Sequence, residues 1–139
     1  MHKTTISLKI DHRERSSGIE KAIETDALPL IYEFTHLNSG DYLLEDKIII
    51  ERKTIPDFLN SLKSGRVFNQ AYRLAKSNAC SVIIIEGNKS SADKSLMKRS
   101  AIQGSLVHLT IFLGIPVLRS NNIKETLKLF ISIGNQLYK

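Results

Sequence analysis

The chain has 139 residues, 42% hydrophobic and 24% charged, which is enough apolar material for one domain core and too little length for two stacked domains. The 20 Lys and Arg against 14 Asp and Glu leave a formal charge of +6, which favours a polyanionic partner, and the ordinary charge density excludes a disordered tail. A single cysteine, Cys80, rules out an internal disulfide. There is no signal-peptide core and no membrane-length apolar run, so an intracellular, non-membrane protein is expected.

Strand-like and helix-like segments alternate from end to end without repeat, low-complexity tract or linker, which predicts an α/β fold. Thr4 to Ile10 reads as a strand with Ile6, Leu8 and Ile10 on one face, stopping at the polar cluster Asp11 to Ser17. Ser17 and Glu20 stand in capping-box spacing for a helix over Ile19 to Ala27. Strands Ile31 to Leu37 and Asp41 to Leu44 are parted by Asn38-Ser39-Gly40, and a turn at Glu45-Asp46 leads into Lys47 to Lys53. These three strands are expected to form an antiparallel meander. A helix begins near Thr54, another covers Arg66 to Ser77, and Ser81 to Glu86 is a β-branched run of the buried kind. Gly87 to Ser95 is the longest loop. Cys80, just before the buried strand, reads as a small core residue.

The last third holds a long helix ending before Gly114, a short strand Ile115 to Leu118, and a helix from Asn122, with Glu125 in box spacing. Ala101, Ile102, Leu106, Val107, Leu109, Ile111, Phe112 and Leu113 leave the first helix little polar face, and Leu127, Leu129, Phe130, Ile131, Ile133 and Leu137 do the same in the second. Such surfaces are either buried within a small domain or paired with a second copy, and a homodimer is expected.

Acids and bases concentrate between Gly40 and Asp57. Ile48, Ile49 and Ile50 should lie in a sheet centre, yet they run straight into Glu51, Arg52 and Lys53, where burial penalises every unpartnered charge. Alternation puts Glu51 and Lys53 on one strand face and Arg52 on the other. A carboxylate beside an ammonium at a strand's end suits phosphodiester hydrolysis. Asp41 and Glu51 make the natural oxygen pair for Mg²⁺ or Mn²⁺. Lys53 can position the attacking water and stabilise growing phosphoryl charge, while Arg52 steadies a ligand or phosphate from the opposite face.

The string Gly40, Asp41, Glu51, Arg52, Lys53, Asp57 resembles the signature of the XPF/Mus81/Hef structure-specific nucleases, the ERCC4-type nuclease domain. Asp11-His12-Arg13-Glu14 resembles that family's Asp-X-Arg-Glu element, Gly65 to Leu74 its Gly-Arg-X-Phe-X-Gln-X-X-Arg-Leu helix, and Ile83-Ile84-Ile85-Glu86-Gly87 its late strand, so that nearly the whole chain is covered as a single domain, 1–139. The resemblance implies a restriction-endonuclease-like fold, a central mixed β-sheet flanked by helices, and Mg²⁺- or Mn²⁺-dependent cleavage of branched or flapped DNA at 3′ flaps, forks or splayed arms. It also implies dimerisation through the C-terminal helices. Carried over by position, Asp41 and Glu51 are metal ligands and Lys53 is catalytic. Arg52 and Asp57 support them, and Asp11, Arg13 and Glu14 complete the site, Glu14 through the metal.

Family members usually carry a tandem helix-hairpin-helix module after this domain and many a helicase domain before it. The chain ends at Lys139 with neither, so a stand-alone relative, an excised domain, or the partner of a separate helix-hairpin-helix subunit is expected. A prokaryotic member would be cytoplasmic and nucleoid-associated.

Blander readings stand beside these. Asp57, three residues after Thr54, also fits the acidic position of a capping box. Arg66, Gln70 and Arg73 share a helix face that could track a DNA backbone or be an ordinary polar face. Lys89, Lys94, Lys98 and Arg99 offer a second DNA contact or mere solvation. Ser91 to Lys94 matches a Ser-X-X-Lys pattern without its companions, and none of the four histidines has metal-ligand spacing. A non-catalytic DNA-binding scaffold and a related four-way-junction or end-processing nuclease are the alternatives.

Overall fold

The computed structural model describes residues 5–77, 79–88 and 99–138. Lys89, Lys94, Lys98 and the Ser91–Lys94 pattern lie outside the described residues, as does most of the predicted long loop. Among the described residues, six strands form one mixed sheet with five flanking α-helices.

Strand β1 (Ile6–Asp11) leads through a 3₁₀ turn (His12–Glu14) into helix α1 (Ile19–Thr25), and the chain returns as β2 (Leu30–Thr35), which pairs with β1 in parallel. An intervening helix is what a parallel return requires, so the expected antiparallel meander is wrong in one member. β2 takes the sheet edge, and β1 is inserted between it and β3 (Tyr42–Leu44). β3 and β4 (Ile48–Thr54) do form the predicted hairpin, through the three residues Glu45 to Lys47, of which Glu45 and Asp46 both adopt positive φ, 52° and 55°, matching the twist of the strands. Two parallel strands complete the order β2-β1-β3-β4-β5-β6: β5 (Cys80–Glu86) and β6 (Val117–Ser120).

Local chemistry sets most element ends. The Thr54 hydroxyl accepts from the Asp57 N–H to start α2 (Ile55–Ser64), and Asn122 caps α5 (Ile123–Gln136) through the Glu125 N–H. Gly65, at φ 78°, ends α2 and opens α3 (Arg66–Lys76). The expected box at Ser17 does not form. Gly18 is the N-cap, the Ser17 hydroxyl instead accepts from the Ile19 N–H, and the Glu20 carboxylate accepts from the Tyr32 hydroxyl. β6 starts two residues later than predicted because Pro116 has no N–H, and only its carbonyl joins the sheet, accepting from Ile83. Cys80 is exposed, because burial in β5 begins one residue later, at Ser81.

Each sheet face carries its own core. On one face Ile6, Leu8, Ile10, Tyr42 and Ile50 pack with Ile19 and Ile23 of α1 and Leu127 and Phe130 of α5. On the other, Ile49, Ile83 and Ile85 pack with Phe58 and Leu62 of α2 and Val67, Ala71 and Leu74 of α3. The two greasy C-terminal helices therefore part ways. α5 spends its apolar residues on the first core, whereas α4 (Arg99–Val107) and the π-helical turn that continues it (His108–Phe112) leave Ile111 71% and Phe112 73% exposed.

α5 lies so close to β1 that a Cβ on Gly134 would meet the Ile6 side chain at 2.7 to 3.0 Å. Gly134→Ala gains about 1 kcal/mol of helix propensity but forces the buried Ile6 aside, an overpacking cost of about 1–3 kcal/mol. A net lowering of the thermal midpoint is expected by calorimetry, and a raised midpoint would show that the contact relaxes freely.

Candidate active site

The acidic pair is assembled by the β3–β4 hairpin. Tyr42 pairs with Ile50, so one step further out Asp41 stands opposite Glu51, and both side chains leave the face opposite to Tyr42 and Ile50. Gly40 permits the approach. Its φ is 75°, and a Cβ there would sit 2.4 Å from Ile49 Cγ2 and 3.2 Å from the Ile50 carbonyl. The Asp41 N–H donates to that carbonyl at 2.9 Å, and the Arg52 N–H donates to Asp41 Oδ2 at 2.8 Å. Lys53 follows Glu51 on the same face with Nζ 3.9 Å from Glu51 Oε1 and 3.5 Å from Ser61 Oγ on α2.

Asp11 and Arg13 form the next layer. The Asp11 carboxylate accepts from the Leu37 N–H at 2.8 Å, the Arg13 N–H at 3.0 Å and Arg13 Nε at 2.6 Å. Burial would raise its pKa, but these donors hold it down to about 2. Asp11 is thus a fixed anchor for Arg13, whose Nη2 donates to the Gly40 carbonyl at 3.2 Å and lies 4.0 Å from Asp41 Oδ1.

The pair itself is electrostatically unrelieved. Burial, reinforced by the Glu51 charge and opposed by the Arg52 N–H, pushes Asp41 up to about 7. Burial also raises Glu51, against the opposing pull of Lys53. A cleft of about 170 Å³ opens beside Glu51, walled by Arg13, Asn38, Ser39, Gln70 and Arg73. Gln70 Oε1 is buried there and, among the described residues, is the buried side-chain polar atom with no hydrogen-bond partner. Two crowded carboxylates ask for a cation, and arginines on the cleft walls ask for an anion.

Arg52 points to the other face. Nε donates to Glu86 Oε1 at 3.1 Å and Nη2 to Glu86 Oε2, while Nη1 lies 3.4 Å from Glu14 Oε1, which also accepts a short hydrogen bond from the Tyr42 hydroxyl. Glu14 still acts on the acidic pair through its charge, which adds to the upward shift of both Asp41 and Glu51. The 3₁₀ turn sends Arg13 to the cleft face and Glu14 to the opposite one, where Arg52 and Tyr42 occupy its carboxylate. Among the described residues no group of three or more His, Cys, Asp or Glu is gathered as a metal cluster. Asp41 and Glu51 remain as a pair, fitting a cation that completes its shell with water.

Asp57 is exposed in the first turn of α2 and does not line the cleft; its N–H serves the Thr54 cap. Arg66 turns away as well, with Nη2 donating to Ser61 Oγ at 3.0 Å, whereas Gln70 and Arg73 reach the cleft. Sequence reasoning missed Tyr42, Ser61 and Thr126, and quoted Glu86 without a role. A carboxylate closing an apolar strand, as Glu86 closes β5, was the one available signal.

Known proteins share this chain's family and fold. The ERCC4 domain family matches residues 10–133. The 3′-flap repair endonuclease Xpf of Saccharolobus solfataricus is 29% identical over 131 residues, covering 94% of this chain and 55% of that protein. The solved structure of XPF from Aeropyrum pernix superposes with a TM-score of 0.81 at 32% identity, covering 96% of this chain and 62% of that one; its complex with DNA gives 0.74 at 31%, covering 94% and 64%. The chain therefore spans a little over half the length of these relatives.

Asp41→Asn removes a penalised charge and keeps an acceptor for the Arg52 N–H. The folded wild type binds a proton at Asp41 up to about pH 7, while the unfolded chain releases it near 3.8. The stability that Asp41 contributes in EDTA should therefore be full below about pH 4 and be lost as pH rises toward about 7. We expect Asp41→Asn to exceed wild type by roughly 1–3 kcal/mol at about pH 8 and to match it in acid, read from urea midpoints. Equal stability at the higher pH would mean that Asp41 bears no such penalty.

Proposed function

Because this chain belongs to the ERCC4 domain family, we propose that it is a metal-dependent, structure-specific DNA endonuclease hydrolysing phosphodiester bonds near branch points, such as 3′ flaps, forks and splayed arms, in DNA repair or recombination. The observation that carries this reading is the Asp41–Glu51 pair beside Lys53, Asp41 buried and Glu51 half-buried on a cleft with arginines on its walls.

Asp41 and Glu51 would hold Mg²⁺ or Mn²⁺, which supplies polarisation of the phosphoryl oxygen and of a water. The rest belongs to the chain. Glu51 and Ser61 hold the Lys53 ammonium, whose remaining protons can orient the attacking water and meet charge growing on the phosphoryl oxygens. Arg13, steadied by Asp11, and Arg73, across the cleft, bind the backbone phosphates. Arg52 acts from behind the strand, through its N–H on Asp41. Asp57 would support the site from the first turn of α2, and Arg66, which shares the Ser61 hydroxyl with Lys53, would meet DNA just outside the cleft.

The exposed apolar surface supports a homodimer. Beside Ile111 and Phe112 a cleft of about 280 Å³ runs between α2, α4 and β6, lined by Phe58, Leu59, Ile102, Leu106 and Val117. A second copy would cover this surface, and α4 with its π-helical turn, more than α5, would supply it. The enzyme would be intracellular and nucleoid-associated in a prokaryote; among the described residues no helix is long and apolar enough to cross a membrane. Branch recognition would draw on helix-hairpin-helix modules, in the same chain or in a separate subunit.

Labelled 3′-flap, fork, four-way and linear duplexes incubated with Mg²⁺, Mn²⁺ or EDTA test the activity. Metal-dependent nicking near the branch is expected, abolished by Asp41→Asn or Glu51→Gln with flap binding retained, and slowed by Lys53→Ala with metal binding retained. Wild-type rates from both carboxylate variants would overturn the metal assignment, and cleavage confined to ends or four-way junctions would select the related nuclease. No cleavage of any substrate by the wild type would favour a DNA-binding scaffold. Separately, Ile111→Glu with Phe112→Glu should convert a dimer to a monomer in sedimentation, and an unchanged mass would remove this face from the interface.

A further inference from the structure

Behind the acidic pair runs a buried chain of polar groups that ends far from the cleft. Glu86 Oε1 accepts from Arg52 Nε and, at 2.6 Å, from the Thr126 hydroxyl on α5. Thr126 Oγ1 in turn lies 2.6 Å from Ser120 Oγ on β6. Thr126 is fully buried, and Ser120 and Glu86 nearly so.

Chemistry orients the chain. The Glu86 carboxylate takes two donors from Arg52 and can only accept, so the single Thr126 proton must point at Glu86. With that proton committed, Ser120 is the donor in its 2.6 Å contact with Thr126, and the Asn122 carbonyl at 3.4 Å is a second, longer acceptor for the Ser120 hydroxyl. The sequence Ser120, Thr126, Glu86 thus has one direction and ends on the carboxylate that Arg52 holds.

Arg52 links this chain to the cleft at three points. Its backbone N–H holds Asp41, its neighbours in β4 are Glu51 and Lys53, and its Nη1 faces Glu14, next to Arg13 in the 3₁₀ turn. We propose that Thr126 is a positioning residue for phosphodiester cleavage: by fixing the Glu86 carboxylate it locks the Arg52 guanidinium and so the placement of Asp41, Glu51, Lys53 and Arg13. This rests on the nuclease reading above.

A purely structural Thr126 would affect melting alone, so the test separates the hydroxyl from the shape. Thr126→Val keeps the volume and removes the proton; Thr126→Ser keeps the hydroxyl and removes the methyl. In the full chain, single-turnover cleavage of a labelled 3′-flap duplex should slow about tenfold in Thr126→Val, with KM within about twofold, and recover in Thr126→Ser. Mn²⁺ affinity by titration calorimetry should weaken in Thr126→Val alone. If the valine variant fails to fold, Thr126→Cys, a weak donor, takes its place and should fall between wild type and a full loss.

A folded Thr126→Val with wild-type kcat and Mn²⁺ affinity would overturn the proposal, and so would a Thr126→Ser as slow as Thr126→Val. If the wild type cleaves nothing, the nuclease reading fails on its own, and the Mn²⁺ affinities decide this one: weakening confined to Thr126→Val supports it, and equal affinities, or no Mn²⁺ binding by the wild type, overturn it.

Discussion

Two carboxylates held side by side at a buried strand end repel each other, and everything around Asp41 and Glu51 answers to that constraint. Neither can be neutralised in place by a bidentate arginine without closing the space in front of them. The cations are therefore set at the margins: Lys53 stands 3.9 Å from Glu51, and Arg13 stands 4.0 Å from Asp41. At those distances the attraction is partial, and burial, with neighbouring carboxylate charge added to it, keeps the pKa values of both acids raised. The bidentate ion pair nearby, Arg52 with Glu86, lies on the opposite sheet face, where it ties strands together and stays clear of the acids.

The alternation of side chains along one strand makes this division of labour available. Glu51 and Lys53 serve the cleft while Arg52, between them, serves the support, and no loop or helix could separate neighbours so cleanly. The 3₁₀ turn after β1 repeats the device on a smaller scale. Arg13 goes to the cleft and Glu14 to the support, and Asp11, saturated by three N–H donors, fixes the pivot.

That alternation was readable from the order of residues, as were the buried run of β5, the hairpin turn at Glu45-Asp46 and the caps at Thr54 and Asn122, because each depends on neighbours a few positions apart. What escaped sequence reasoning depends on partners chosen across the fold. The place of β2 at the sheet edge follows from a crossover through α1, which no local pattern states. Glu14 was placed beside the acidic pair by its position in the family's Asp-X-Arg-Glu element, and no local pattern announced that Tyr42 and Arg52 would take up its carboxylate. Thr126 carries no signal of its own, since a lone threonine in an apolar helix gains its meaning from a carboxylate 40 residues away. Gly40 lies between these cases: the turn was legible, the close approach to Ile49 was not.

The hairpin that pairs Asp41 with Glu51 also separates the site in folding order. Its closing turn spans three residues, Glu45 to Lys47, whereas the hydrogen bonds from Arg52 and Thr126 to Glu86 bridge 34 and 40 positions. Loop-closure entropy makes the first contact cheap and the others slow to gain. The like charges are thus brought together by the most local element of the sheet, and the groups that brace them arrive only when β5 and α5 dock. Until then the acids of the hairpin keep their water, and the burial that raises their pKa values is still to come.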